Sequence, residues 1–137
     1  MSMGAATTQD IQNLLKLRKR IAVVGLSDQP FRTSYMVSEY MQNAGYEIIP
    51  VNPNVREVLG QKAFSTLEEI EGHVDIVNVF RRSEYLPEVA RSAAKIKAGF
   101  FWAQLGLYSA EAEEILQSAT IPYIMDKCIK VEHAMIR

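Results

Sequence analysis

The stretch that decides the fold is "RIAVVGLSDQPFRTSYMVSEYMQNAGYEIIPVNP", Arg20 to Pro53. Its first residues, "RIAVVGL", are β-branched and apolar on both faces, as a strand buried inside a parallel sheet must be. After the glycine and a short loop, Thr33 or Ser34 can cap a helix. Its apolar positions are Tyr35, Met36, Val37, Tyr40, Met41 and Ala44, with Gly45 as the C-terminal stop. "YEIIPVN" (Tyr46 to Asn52) is a second strand, closed by Pro53. This is the opening of a dinucleotide-binding unit with parts missing. The second and third glycines of the fingerprint are absent, and Asn52-Pro53-Asn54 stands where an acid would hold ribose hydroxyls.

The same alternation continues outward. "TLEE" (Thr66 to Glu69) is a capping-box pattern that starts a short helix, and "VDIVNVF" (Val74 to Phe80) is a third strand. Ser83 can cap the next helix, with Pro87 in its first turn. Leu86, Val89, Ala90, Ala93 and Ala94 share one face of it, and Gly99 ends it. "FFWAQL" (Phe100 to Leu105) is a fourth strand. Ser109 caps a helix carrying Ala112, Ile115, Leu116 and Ala119, and "IPYIM" (Ile121 to Met125) is a fifth strand. A helix around Asp10 to Arg18, within residues 1–19, precedes them all. Strands alternating with helices of this length predict an α/β, Rossmann-like, three-layer α/β/α fold around a mainly parallel five-stranded sheet. No linker-like composition divides the 137 residues, which predicts one domain over 1–137.

Composition narrows the class. Hydrophobic residues make up 48% and charged residues 23%, which is ordinary for a globular protein and argues against disorder. A formal net charge of −1 supplies no global field for nucleic acid or an anionic membrane surface. The first residues lack the apolar core of a signal peptide, no run approaches membrane-spanning length, and the one cysteine, Cys128, forms no intrachain disulfide. The expectation is a cytoplasmic protein. Two histidines, His73 and His133, with one cysteine are a poor set of zinc ligands, so no metal is expected.

In such a sheet the ligand crevice lies beyond the carboxyl ends of the strands, near the topological switch point. That rule picks Gly25-Leu26-Ser27, Val51-Asn52-Pro53, Phe80-Arg81-Arg82, Ala103-Gln104-Leu105-Gly106 and Asp126-Lys127-Cys128. Gly25 lets the backbone approach a phosphate, and Ser27 can donate a hydroxyl hydrogen bond. The helix beginning near Thr33 points its free N–H groups and positive end into the same space, with Arg32 just ahead of it. Together these favour a diphosphate or a phosphomonoester. The competing reading of Gly25 and Ser27 is a plain strand-to-helix turn. NADP stays open through Arg56, whereas NAD lacks its acid. No catalytic constellation is present: Ser27 is in no nucleophile elbow, and Cys128, beside Lys127 and Lys130, stands alone.

Taken in order, "IAVVGLS", "PFRTSYMV", "GYEIIPVNP", "LGQKAFSTLEEI", "VDIVNVFRRSE", "FFWAQLG" and "MDKCIKVEH" resemble the small stand-alone CoA-binding proteins. Their Rossmann-like domain is similar to the one that opens the α subunit of succinyl-CoA synthetase. The resemblance runs from about Ile21 to His133 and implies that coenzyme A or an acyl-CoA is the ligand. It implies that the Gly25-Leu26-Ser27-Asp28 loop holds the pyrophosphate region. Arg56 is the substitute candidate for a CoA-contacting lysine of the synthetase. Phe80, Arg81, Trp102 and Gln104 fall where the synthetase has further CoA-contacting positions. The synthetase phosphorylates a histidine in a second domain, to which His133 does not correspond. The expectation is therefore a binding module without catalysis of its own. The rival readings are an NAD(P)-binding regulatory domain, and an acyl-CoA-using enzyme acting through Cys128 or with a separate subunit. A homo-oligomer stays open.

Overall fold

The computed structural model of the protein describes residues 4–17 and 19–136. Its elements are α1 (Thr8–Leu15), β1 (Arg20–Val24), α2 (Thr33–Asn43), β2 (Glu47–Val51), β3 (Glu57–Val58), β4 (Gln61–Lys62) and β5 (Ile76–Val79). They continue with α3 (Leu86–Lys95), β6 (Phe101–Ala103), α4 (Ala110–Ser118), β7 (Tyr123–Ile124) and α5 (Ile129–Ala134). Single 3-10 turns at Leu67–Glu69 and Ser83–Tyr85 lead towards β5 and α3 respectively. The five main strands form a parallel sheet in the order β2-β1-β5-β6-β7, the Rossmann-like α/β arrangement expected from the sequence.

Both faces of the sheet are apolar because the strand residues alternate between two cores. Ala22, Val24, Val77, Val79, Phe101 and Ala103 pack under α3 and α4. Ile21, Val23, Ile48, Ile76 and Trp102 pack under α1, α2 and α5. After β2 the chain therefore changes face, and it also reverses direction across the sheet. The switch point lies between β1 and β5, which sets where a ligand crevice must open.

Pro50 lies within β2, where a proline normally breaks a ladder. Its carbonyl accepts from Phe64 N at 2.9 Å, so the hydrogen-bonding side of this residue faces away from β1. The missing N–H therefore costs the main sheet nothing.

Local signals hold at several helix starts. Thr66 and Glu69 form their capping box, and Ser109 Oγ accepts from Ala112 N at 3.1 Å. A further box, Thr7 with Asp10, starts α1. The Thr7 backbone and hydroxyl donors hold the Asp10 carboxyl below its usual value, so this cap weakens as pH falls through that lowered value.

Two expected caps are corrected. Neither Thr33 nor Ser34 is the N-cap of α2; Arg32 is, with no side-chain bond, because Ser34 Oγ is taken by Ser27 N. Ser83 does not cap α3, because its hydroxyl accepts from Tyr108 N at 3.0 Å. All five main strands are shorter than expected. The helix over Asp10 to Arg18 starts at Thr8 and ends at Leu15, and Arg18 is outside the described residues. The helix α5 and the β3–β4 hairpin were not anticipated; each is too short to show a hydrophobic period.

Two polar side chains on α5's face of the sheet, Asn78 and Gln104, are 1% and 4% exposed, too buried to be left unpaired. Gln104 Nε2 donates to Asn78 Oδ1, and Gln104 Oε1 accepts from Ile129 N at 3.4 Å. Trp102 is fully buried, and its indole N–H donates to the Lys127 carbonyl at 2.8 Å. These bonds dock the β7–α5 connection onto the sheet. Trp102→Phe should lower unfolding stability by about 2 kcal/mol, the sum of lost packing and an orphaned carbonyl. Urea denaturation at unchanged slope measures it, and an unchanged midpoint would show that the indole bond contributes nothing.

Candidate functional site

At the switch point three strand ends meet. Phe80 N donates to Val24 O at 2.9 Å, and Gly25 N donates to Val51 O at 2.8 Å. Gly25 has φ +88°, a conformation that L side chains rarely adopt. A Cβ built there would collide with the Phe80 carbonyl oxygen and stand 3.1 Å from Arg81 Cγ. The glycine is thus required by backbone packing between β1 and β5, before any ligand is considered.

Beyond this junction two clefts share Gly25 and Phe80 as walls. Each encloses about 370 Å³, enough for part of a nucleotide-sized ligand. One is formed by Ser27, Arg32, Thr33 and Ser34 at the start of α2. The absence of a side-chain cap leaves first-turn amide groups and the positive helix end facing this space. The loop ahead of the helix is braced internally. Ser27 N donates to Ser34 Oγ, Gln29 N to Ser27 Oγ and Arg32 N to Gln29 O, each at 3.0 Å. Ser27 and Ser34 therefore shape the loop as acceptors, and the Ser27 hydroxyl proton is not used in these bonds.

The second cleft is walled by Asn52, Pro53 and Asn54 on one side and by Arg81, Arg82 and Tyr85 on the other. Asn52 does not replace the ribose-binding acid of dinucleotide enzymes. Its Nδ2 donates to Leu26 O at 3.1 Å and its Oδ1 accepts from Asn54 N at 2.9 Å, tying β2's end to the β1 loop. Leu26 is fully buried and meets this bond through its carbonyl alone. Val51 lines the cleft floor.

The arginines separate in their surroundings. The Arg81 guanidinium carbon lies 4.2 Å from the centre of the Tyr85 ring. Arg81 is half-buried and also borders a third cleft, beside Glu68 and Glu88. Arg82 is exposed and leans towards Glu84, with 3.5 Å between Nη1 and Oε1. Arg32 is exposed above Phe31, and Arg56 is exposed ahead of β3.

Five of the residues expected to bind the cofactor do not line either cleft: Leu26, Asp28, Arg56, Trp102 and Gln104. Asp28 is on the exposed side of the loop, and Trp102 and Gln104 serve the α5 connection described above. Tyr85, Asn54 and Ser65 line the second cleft without having been singled out as site residues. No periodicity marks Tyr85, because Arg81 lies in the bend after β5 and Arg82 is extended, so only the fold brings the ring to Arg81.

Cys128 is half-buried at the start of α5 and lines neither cleft. His133 is hydrogen-bonded through Nδ1 to Tyr40 OH at 2.9 Å, clasping α5 to α2. Gly25→Ala should destabilise the ligand-free protein by about 2 kcal/mol, from backbone strain alone. The collision with Phe80 adds to that figure. Denaturation without ligand measures the loss, and a wild-type midpoint would contradict the packing described.

The geometry can be set beside known proteins. A family model described as "CoA binding domain" matches residues 19–134. "Uncharacterized protein YneT" of Bacillus subtilis is 58% identical over 128 residues, covering 93% of this chain and 95% of that protein. The structure of "cell-free ID.343" from Thermus thermophilus superposes with a TM-score of 0.89 at 33% identity, covering 94% of this chain and 98% of that one. An "Acetate--CoA ligase [ADP-forming]" of Methanocaldococcus jannaschii is 23% identical over 128 residues, covering 86% of this chain but 18% of that protein.

Proposed function

The chain belongs to the CoA-binding domain family, and we propose that it binds coenzyme A or an acyl-CoA across the two clefts at the β1–β5 switch point. The observation that carries the reading is the pair of joined clefts, one at a helix N-terminus and one walled by arginines. CoA carries a pyrophosphate and, on its ribose, a separate 3′-phosphate. The pyrophosphate suits the α2 start, where Gly25 brings the backbone close and the first-turn amides offer neutral donors. The adenosine end suits the second cleft, where Pro53 and Tyr85 supply apolar walls and Arg81 and Arg82 supply charge.

The protein acts as one CoA-holding domain without catalysis of its own, and any thioester chemistry belongs to a separate subunit. Similarity to a segment making up 18% of an acetate–CoA ligase supports a module that the larger enzyme embeds among other parts. No described helix is long and apolar enough to cross a membrane. The reading places the protein in the cytoplasm.

A thermal-shift and calorimetric series with CoA, acetyl-CoA, NAD, NADP and ATP tests it. CoA or acetyl-CoA should raise the melting temperature by mass action. No response to either at millimolar concentration, or a response to NADP alone, would overturn the reading. Arg32→Ala should weaken CoA binding by at most about tenfold, because an exposed arginine contributes one screened contact.

A further inference from the structure

Resting on the CoA reading above, we propose that Tyr85 and Arg81 form the specificity element for the ligand's 3′-phosphate. Tyr85 acts as a positioning residue through the arginine. Arg81 and Arg82 are the arginines that line the adenosine-sized cleft, and their environments differ. Arg82 is exposed and engaged with Glu84, so it offers a mobile and partly neutralised charge. Arg81 is half-buried, and its guanidinium carbon sits over the Tyr85 ring, 4.2 Å from the ring centre. This cation–π contact restricts the side chain and leaves guanidinium N–H groups free to meet an anion such as a phosphate monoester.

The surroundings give the pair a direction. Among the described residues, no carboxylate lines the adenosine-sized cleft, whereas Glu68 and Glu88 border the third cleft on the other side of Arg81. A phosphate dianion is therefore favoured on the Pro53–Tyr85 side and repelled on the Glu68–Glu88 side. The pyrophosphate has its own donors at the start of α2, which leaves Arg81 for the monoester. Tyr85 is held by the 3-10 turn Ser83–Tyr85, itself anchored where Ser83 Oγ accepts from Tyr108 N. The phosphate reader is thus built before the ligand arrives, and the reduced freedom of the arginine is where its selectivity originates.

Calorimetric titration of wild type, Tyr85→Phe, Tyr85→Leu, Arg81→Gln and Arg81→Lys with CoA and with 3′-dephospho-CoA tests the pair. Wild type should prefer CoA by about tenfold or more, the value of one charge-assisted contact. Arg81→Gln should bring the ratio near one, because CoA affinity falls by more than dephospho-CoA affinity. Tyr85→Leu should reduce the ratio by about threefold or more, in line with the loss of a cation–π contact. Tyr85→Phe keeps the ring and should keep the ratio; Arg81→Lys keeps the charge but not the stack and should fall between. Tyr85 is 37% exposed, so these variants should melt within a few degrees of wild type. An unmoved ratio in Tyr85→Leu and Arg81→Gln, with CoA still bound, overturns this inference alone. A wild-type protein that binds neither ligand overturns it together with the CoA reading.

Discussion

The close approach of β1 to β5 at Gly25 is the constraint on which the site depends. A backbone with a side chain there cannot pass the Phe80 carbonyl. Once it passes, Gly25 N reaches Val51 and Phe80 N reaches Val24, so three strand ends are fixed within hydrogen-bonding distance of one another. The two clefts are the space left above that junction. Their shared walls, Gly25 and Phe80, are the residues that make the contact.

From that junction the proposed CoA site divides into two sets of candidate anion donors. At the start of α2 the donors are backbone amides and a helix end, whose positions are set by loop bonds among Ser27, Gln29, Arg32 and Ser34. Across the junction the donors are guanidinium groups, whose usefulness depends on how firmly they are held. Tyr85 decides that for Arg81, and Glu84 draws Arg82 outward. A ligand with one bridging diphosphate and one terminal monoester fits such a division better than a ligand with a single charged group.

The sheet face under α2 and α5 has a supporting role. Asn78 and Gln104 are polar residues in a region that is otherwise apolar, and they are tolerated because each has a partner. With Trp102 they receive the β7–α5 connection, and His133 on α5 clasps Tyr40 on α2. The helix whose start forms one cleft is thereby braced from behind by a chain of contacts reaching the centre of the sheet.

The sequence by itself determined the parallel sheet and its flanking helices, because apolar runs such as "IAVV" and "IVNV" and the helical spacing of Leu86, Val89, Ala90 and Ala93 are local patterns. It also pointed to the strand ends as the candidate site, and Gly25, Asn52, Phe80 and Arg81 border the cleft found there. Hydroxyl partners were not legible: Ser34 and Ser83 look like helix caps until the fold brings Ser27 N and Tyr108 N to them first. Nor could the sequence show that Trp102 and Gln104, one a strand residue and one just past its end, would turn towards α5. Strand alternation assigns a face, but which face becomes the crevice depends on where the chain crosses the sheet. Only the tertiary structure made Arg81 different from Arg82, because the difference lies in which neighbour, an aromatic ring or a carboxylate, each guanidinium meets.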